Sequence, residues 1–176
     1  MSTAADLAFR LVGLFYLASG VLVVRTLAVS AMADATWSAI MGKPPHPAER
    51  AREIWLAAGS VVIAAGGLAL MLLLDVAAVL FVLGTLQQLV YLFVVAPRFF
   101  DPHDAPDPAG RTSTRNAALL HLAVTVAVVA AAAAGELRAW DDQPIWLLAA
   151  AGAVVAVGAV WTIAAMRVRT TLGKPE

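Results

Sequence analysis

The sequence predicts an all-α, polytopic integral membrane protein: a single domain, residues 1–176, built as a bundle of five transmembrane helices. Three observations carry that prediction. The stretch from Ile54 to Ala96 is apolar throughout except for one charge, Asp75, and each half is long enough to cross a bilayer as a helix. The chain is 61% hydrophobic and 14% charged, against roughly 45–50% and about 25% for soluble domains. Its mean hydropathy is +0.83. Further apolar runs flank the central stretch on both sides.

The first span is expected over about residues 5–25. Arg10 interrupts it and Arg25 closes it. An arginine at the centre of an isolated span would cost roughly 2.5–3.5 kcal/mol. Placed near an end, Arg10 can reach the headgroups, pair with Asp6 one turn before it, or contact an anion or lipid headgroup. A competing expectation is a cleaved signal peptide with Ala31-Met32-Ala33 at the cleavage site. Arg25, lying between apolar region and site, argues against it.

Thr26, Ser30, Asp34 and Ser38 then recur every four residues, on one helical face. They belong either to a continuation of the first helix or to a helix lying in the membrane interface. The stripe faces water or lines a cavity. Gly42, Pro44 and Pro45 break this helix, and loop 42–53 follows. His46 before Pro47 resembles a helix start with proline in the first helical position.

The second span is expected over about 54–74, with Gly59, Gly66 and Gly67 allowing close backbone approach. A short turn at Asp75 leads to the third, about 76–96, which Pro97 should end. The segment 97–115 reads as the longest loop, because its four prolines and Gly110 oppose regular structure. Asp101, His103, Asp104 and Asp107 crowd there, but their spacing fits no calcium or zinc motif, so no metal site is expected. Ser113 or Thr114 can cap the fourth span, about 116–135. GELRAWDDQP is a turn, and the fifth span, about 145–166, carries Gly152, Ala156 and Ala164 along one edge. The two hairpins, spans 2–3 and 4–5, could form a parallel repeat, though their residues correspond poorly.

Charge sets the expected orientation. With five spans, ten of the 12 Lys and Arg residues fall on one side, leaving Arg10 and Arg138 on the other. Basic loops stay in the cytoplasm, so the N-terminus is expected outside and the C-terminus inside, with loops 42–53 and 97–115 cytoplasmic. Trp140 and Trp146 then mark the outer interface, and Trp55 and Trp161 the inner one. The preference for Ala, Val and Leu over Ile and Phe fits a GC-rich bacterial genome, making a bacterial inner membrane the expected location.

Several chemistries are excluded. Cysteine is absent, which removes disulfides, thiol catalysis and thiolate metal sites. No basic patch interleaved with aromatics suits nucleic acid. Phosphate-binding, dinucleotide-binding, zinc-protease and nucleophile-elbow motifs are missing. The intramembrane polar residues are the candidates that remain. Gln87, Gln88 and Tyr91 on the third helix and His121 and Thr125 on the fourth fall at compatible depths. Polar side chains in hydrocarbon turn inward to find partners, so they are expected to cluster between helices 3 and 4. Such a cluster sets packing and register, or binds a ligand or proton through His121, whose side-chain type titrates near neutral pH. No cofactor is expected. Haem ligation would want a second facing histidine, and His46 and His103 lie in loops.

Three functions follow. The first is a non-catalytic accessory or interaction subunit, meeting another membrane protein or a second copy through Gly/Ala helix faces. The second is a carrier or binding protein for a lipid or other apolar small molecule, using the polar cluster. The third, an intramembrane enzyme using His121, ranks last because no pair of carboxylates lies within the membrane.

Overall fold

The computed structural model describes residues 2–42, 47–100 and 108–172. It is all-helical. Helix α1 runs Thr3–Met41, α2 Pro47–Met71, α3 Val76–Val90, α4 Pro108–Ala133 and α5 Ile145–Leu172. A π-helical segment, Tyr91–Phe100, extends α3. Among the described residues five helices are long and apolar enough to cross a membrane, over Thr3–Ser38, Arg50–Met71, Val76–Phe99, Gly110–Ala133 and Ile145–Ala164. Large apolar side chains such as Leu11, Phe15, Val79, Leu120, Val126 and Val157 cover the outside of the bundle. Water would penalise that surface, whereas hydrocarbon does not.

The helices depart from the expected spans in ways that have physical causes. Helix α1 runs past Arg25, so of the two expectations for residues 26–41 the continuation of the first helix is the one observed. The helix is continuous for 39 residues, about 58 Å at 1.5 Å per residue, against a hydrocarbon thickness of about 30 Å. Ser2 caps its start by accepting from the Ala5 N–H, and Gly42 ends it in the left-handed conformation at φ 64°. Thr26 and Thr36 turn their hydroxyls back onto the carbonyls of Leu22 and Met32.

Pro97 does not end the third helix. The chain widens into π geometry at Tyr91 and carries Pro97 inside it. In the five-residue register the Leu92 carbonyl would take its hydrogen bond from residue 97, which has no N–H to give. Helix α4 begins at Pro108 rather than near Asn116, so prolines do not exclude helix from the second half of the expected loop. Pro108 occupies the first helical position, where its missing N–H costs nothing. Thr114 is therefore not a cap: it lies inside α4 and donates to the Gly110 carbonyl. Asp101, His103, Asp104 and Asp107 fall outside the described residues, as does His46.

The bundle is tightest where α2 turns into α3. Leu73 adopts a left-handed φ of 58°, unusual for a branched side chain, and the turn Leu72–Asp75 reverses the chain there. That turn pairs with the α4–α5 loop. Asp75 N–H donates to the Arg138 carbonyl at 2.9 Å, and Arg138 N–H to the Leu73 carbonyl at 2.8 Å, forming an isolated parallel bridge. Beneath it lies the core: Leu70, Leu73, Leu74, Ala77, Phe81, Val128 and Leu137.

Helices α1 and α2 pack through small residues seven apart. A Cβ added to Gly13 would lie 2.5 Å from the Met71 nitrogen, and one added to Gly20 2.7 Å from the Ser60 carbonyl oxygen. Backbone approach this close is the means by which helices associate where apolar drive is weak. Helix α5 lies at the edge, against α1 and α2, with most of its surface uncovered.

Candidate functional site

Away from the Asp75 end the packing opens. A cavity of about 190 Å³ lies between α2, α3 and α4. Its walls include Trp55, Gly59 and Ile63 of α2, Gly84, Gln87 and Gln88 of α3, Tyr91 and Leu92 of the π segment, and Thr114, Ala117 and Ala118 of α4. Among the described residues no charged side chain lines it.

Gln87 holds α3 to α2: its Nε2 donates to the Trp55 carbonyl at 2.9 Å. Gly59 makes room for that amide, since a Cβ there would stand 2.6 Å from Gln87 Nε2. Gln88, one residue on, turns about 100° around the helix. Its Oε1 is buried without a hydrogen-bond partner, and so is the indole Nε1 of Trp55. Both residues line the cavity. An unmatched donor and an unmatched acceptor thus belong to the walls of one space. A buried unsatisfied polar atom costs about 1–3 kcal/mol, and here both atoms are shut off from the cavity as they are from solvent.

His121 and Thr125 sit deeper, toward the core. The imidazole is stacked on Phe81 with ring centroids 5.3 Å apart and planes 12° from parallel, and Tyr16 of α1 meets it edge-on at 5.1 Å. It is 3% exposed, and neither nitrogen has a hydrogen-bond partner. The Phe81 carbonyl lies nearby but not in hydrogen-bonding geometry. Thr125 forms a relay. Its Oγ1 is 2.9 Å from the His121 carbonyl and 2.8 Å from Thr85 Oγ1. A hydroxyl has one proton, so Thr125 gives its own to the His121 carbonyl and takes Thr85's.

The five residues expected to cluster between α3 and α4 fall into two separate groups. Gln87, Gln88 and Tyr91 border the cavity, with Gln87 turned to α2. His121 and Thr125 pair with Thr85, Phe81 and Tyr16 beside it. Arg10 stands at the far end, where its Nη1 donates to the Met71 carbonyl at 3.1 Å rather than pairing with Asp6. It thereby serves an end carbonyl of α2. Trp55, Gly59, Thr85 and Tyr16 were missed as site residues. Trp55 reads from sequence as an interfacial aromatic, and Thr85 as one hydroxyl among several. Thr85 had one available signal, its place beside Gly84 and near Gln87 on α3; Tyr16, Trp55 and Gly59 lie on other helices and had none.

A second cavity, about 110 Å³, lies between α1, α2 and α5, bordered by Leu17, Gly20, Val24, Ala64, Val155 and Trp161 among others. Its hydroxyls are already used: Ser60 donates to the Leu56 carbonyl and Thr162 to the Gly158 carbonyl. None of its described lining residues has a buried polar atom without a partner, which distinguishes it from the first. No group of three or more potential metal ligands occurs among the described residues.

No protein-family model matches the chain, and no curated protein and no solved structure is similar to it.

Proposed function

We propose that this chain is a multi-pass membrane protein that binds a small, uncharged, largely apolar molecule in the cavity between α2, α3 and α4. The observation that carries the reading is the space itself, about 190 Å³, bordered mainly by apolar and small residues with the amide-bearing Gln87 and Gln88 on its α3 side. Ligand sites are typically apolar concavities with few polar groups. Mass spectrometry of the protein released from its membrane should find a small molecule bound. Ala117→Trp, which fills the space from α4, should remove that mass without lowering thermal stability. An unchanged mass spectrum in the variant would end the proposal.

The membrane orientation belongs to the same proposal. Ten of the 12 basic residues lie on the side of loops 42–53 and 97–115, which supports a cytoplasmic C-terminus and an external N-terminus. A reporter fused after Glu176 that proved extracytoplasmic would refute it.

A second reading, an interaction subunit, is favoured by α5. Added Cβ atoms at Gly152 and Gly158 would meet nothing within 4 Å, so these small residues are not spent on packing within the chain. Cysteine crosslinking from position 152 should capture a neighbouring helix if α5 is an interface.

A further inference from the structure

The space between α1, α2 and α5 is long and narrow. It runs from Leu17 to Val24 along α1, from Ser60 to Leu68 along α2 and from Val154 to Thr162 along α5, roughly 10–12 Å of each helix. A smaller hollow continues it. Val24 and Thr162 border both, and the hollow adds Ala28 and Ala31 of α1 and Glu53 and Ala57 of α2. From Leu17 to Ala31 the two together span about 21 Å.

The groove opens sideways. Val21, Val154 and Trp161 border it and are about half exposed. Its floor is the tight α1–α2 seam, where a Cβ added to Gly20 would stand 2.8 Å from Ala64 Cβ. On the α5 wall a Cβ added to Gly158 would meet nothing within 4 Å, so that wall stands back. The hydroxyl protons of Ser60 and Thr162 are spent on their own helices. The interior therefore asks for no hydrogen bond.

Shape and polarity select the guest. The wider part, about 110 Å³, is smaller than the roughly 150 Å³ that holds a benzene ring. Drawn out along three helices, it suits a run of methylenes and not a ring. Half the hydrocarbon thickness of a bilayer is about 15 Å, the depth that one acyl chain fills. A groove of about 21 Å takes that chain and reaches the headgroup level.

Charge marks one end only. Among the described residues the Leu17–Leu68 end has no charged side chain. At the other end Arg50 lies two turns before Ala57, on the α2 face that carries Val61 and Leu68. Arg25 follows Val21 by one turn on α1. Both arginines are exposed. The acids nearby, Asp34 and Glu53, already have partners. Two guanidinium groups beside an apolar groove match a phosphate joined to a hydrocarbon chain.

We propose that this groove seats one membrane phospholipid, with an acyl chain lying between α1, α2 and α5 and its phosphate held by Arg25 and Arg50. The site is separate from the α2–α3–α4 cavity and rests only on the membrane-spanning reading.

The test uses the full chain purified in dodecyl maltoside and titrated with dioleoylphosphatidylglycerol or with dioleoylglycerol, which has the same chains and no phosphate. Native mass spectrometry counts the bound lipid. One phospholipid should bind about tenfold or more tightly than the diacylglycerol, as expected for a charged hydrogen bond. Arg25→Gln with Arg50→Gln should remove that preference. Val155→Phe, which fills the groove, should weaken both lipids, and Val157→Phe, outside it, neither. A phospholipid carrying a diazirine in mid-chain should label Val61–Leu68 and Val154–Thr162 in preference to the exposed α3 surface at Val79–Leu86. Equal affinity for the two lipids overturns the phosphate assignment. Labelling spread evenly over both surfaces overturns the groove and leaves the membrane reading standing. A chain recovered from cells without detergent overturns both. Should Val155→Phe fail to fold, the labelling map of the wild type decides.

Discussion

The carboxylate of Asp75 accepts a hydrogen bond from the backbone N–H of Trp140, 3.1 Å from Oδ1. Together with the Leu73–Arg138 and Asp75–Arg138 backbone bonds it ties the α2–α3 turn to the α4–α5 loop. The residue that divides the long apolar stretch in the sequence thus closes one end of the bundle.

Replacing that carboxylate tests the tie. Asp75→Ala keeps both backbone bonds and loses only the side-chain acceptor, so it should destabilise by about 0.5–1.5 kcal/mol. Asp75→Asn retains an acceptor and should recover part of the loss. Thermal unfolding in mild detergent, and protection of the Trp140 amide from exchange, would show both effects.

The helix contacts make a paired prediction about glycine. Gly67→Ala places a methyl group against the α1 backbone and should destabilise by about 1–3 kcal/mol, the usual cost of overpacking. Gly152→Ala meets open space, and alanine is the better helix former by about 1 kcal/mol. It should leave melting unchanged or raise it. The reverse order would mean that α1 and α2 are not in register as described.

The threonine relay should be worth little. Hydrogen bonds between membrane helices average about 0.6 kcal/mol and reach about 1.7 kcal/mol. A double-mutant cycle on Thr85→Val and Thr125→Val should return a coupling in that range. A larger value would mark the relay as a fold determinant rather than a local fit.

His121 separates packing from polarity. Its ring stacks on Phe81 and makes no hydrogen bond, so His121→Phe should be neutral or stabilising. His121→Ala opens a hole between Tyr16 and Phe81 and should destabilise by about 2–5 kcal/mol, as large-to-small core changes do. Unfolding of the two variants side by side gives the comparison.

The five long helices and the turn at Asp75 were legible because hydrocarbon imposes a simple demand: apolar runs of about 20 residues with internal hydrogen bonds. Local rules for proline were less reliable. Pro97 predicts an end because water usually solvates the carbonyls that proline strands. Here the chain keeps a helix by changing its register instead. Pro108 carried a valid start signal, but the prolines and acids before it suggested loop. Gln87 and Gln88 show why the polar cluster was only partly readable. Being adjacent, they point about 100° apart and cannot both face α4. Which one turns to α2 depends on Gly59 opposite, a relation between helices that spacing along one chain does not contain.

The core around Leu70 and Phe81 stops the cavity short of the Asp75 end. A hollow stoppered in this way is a cup and not a conduit. On the proposed binding reading, a guest leaves by the face it came from, and the protein would store or present it without moving it between leaflets.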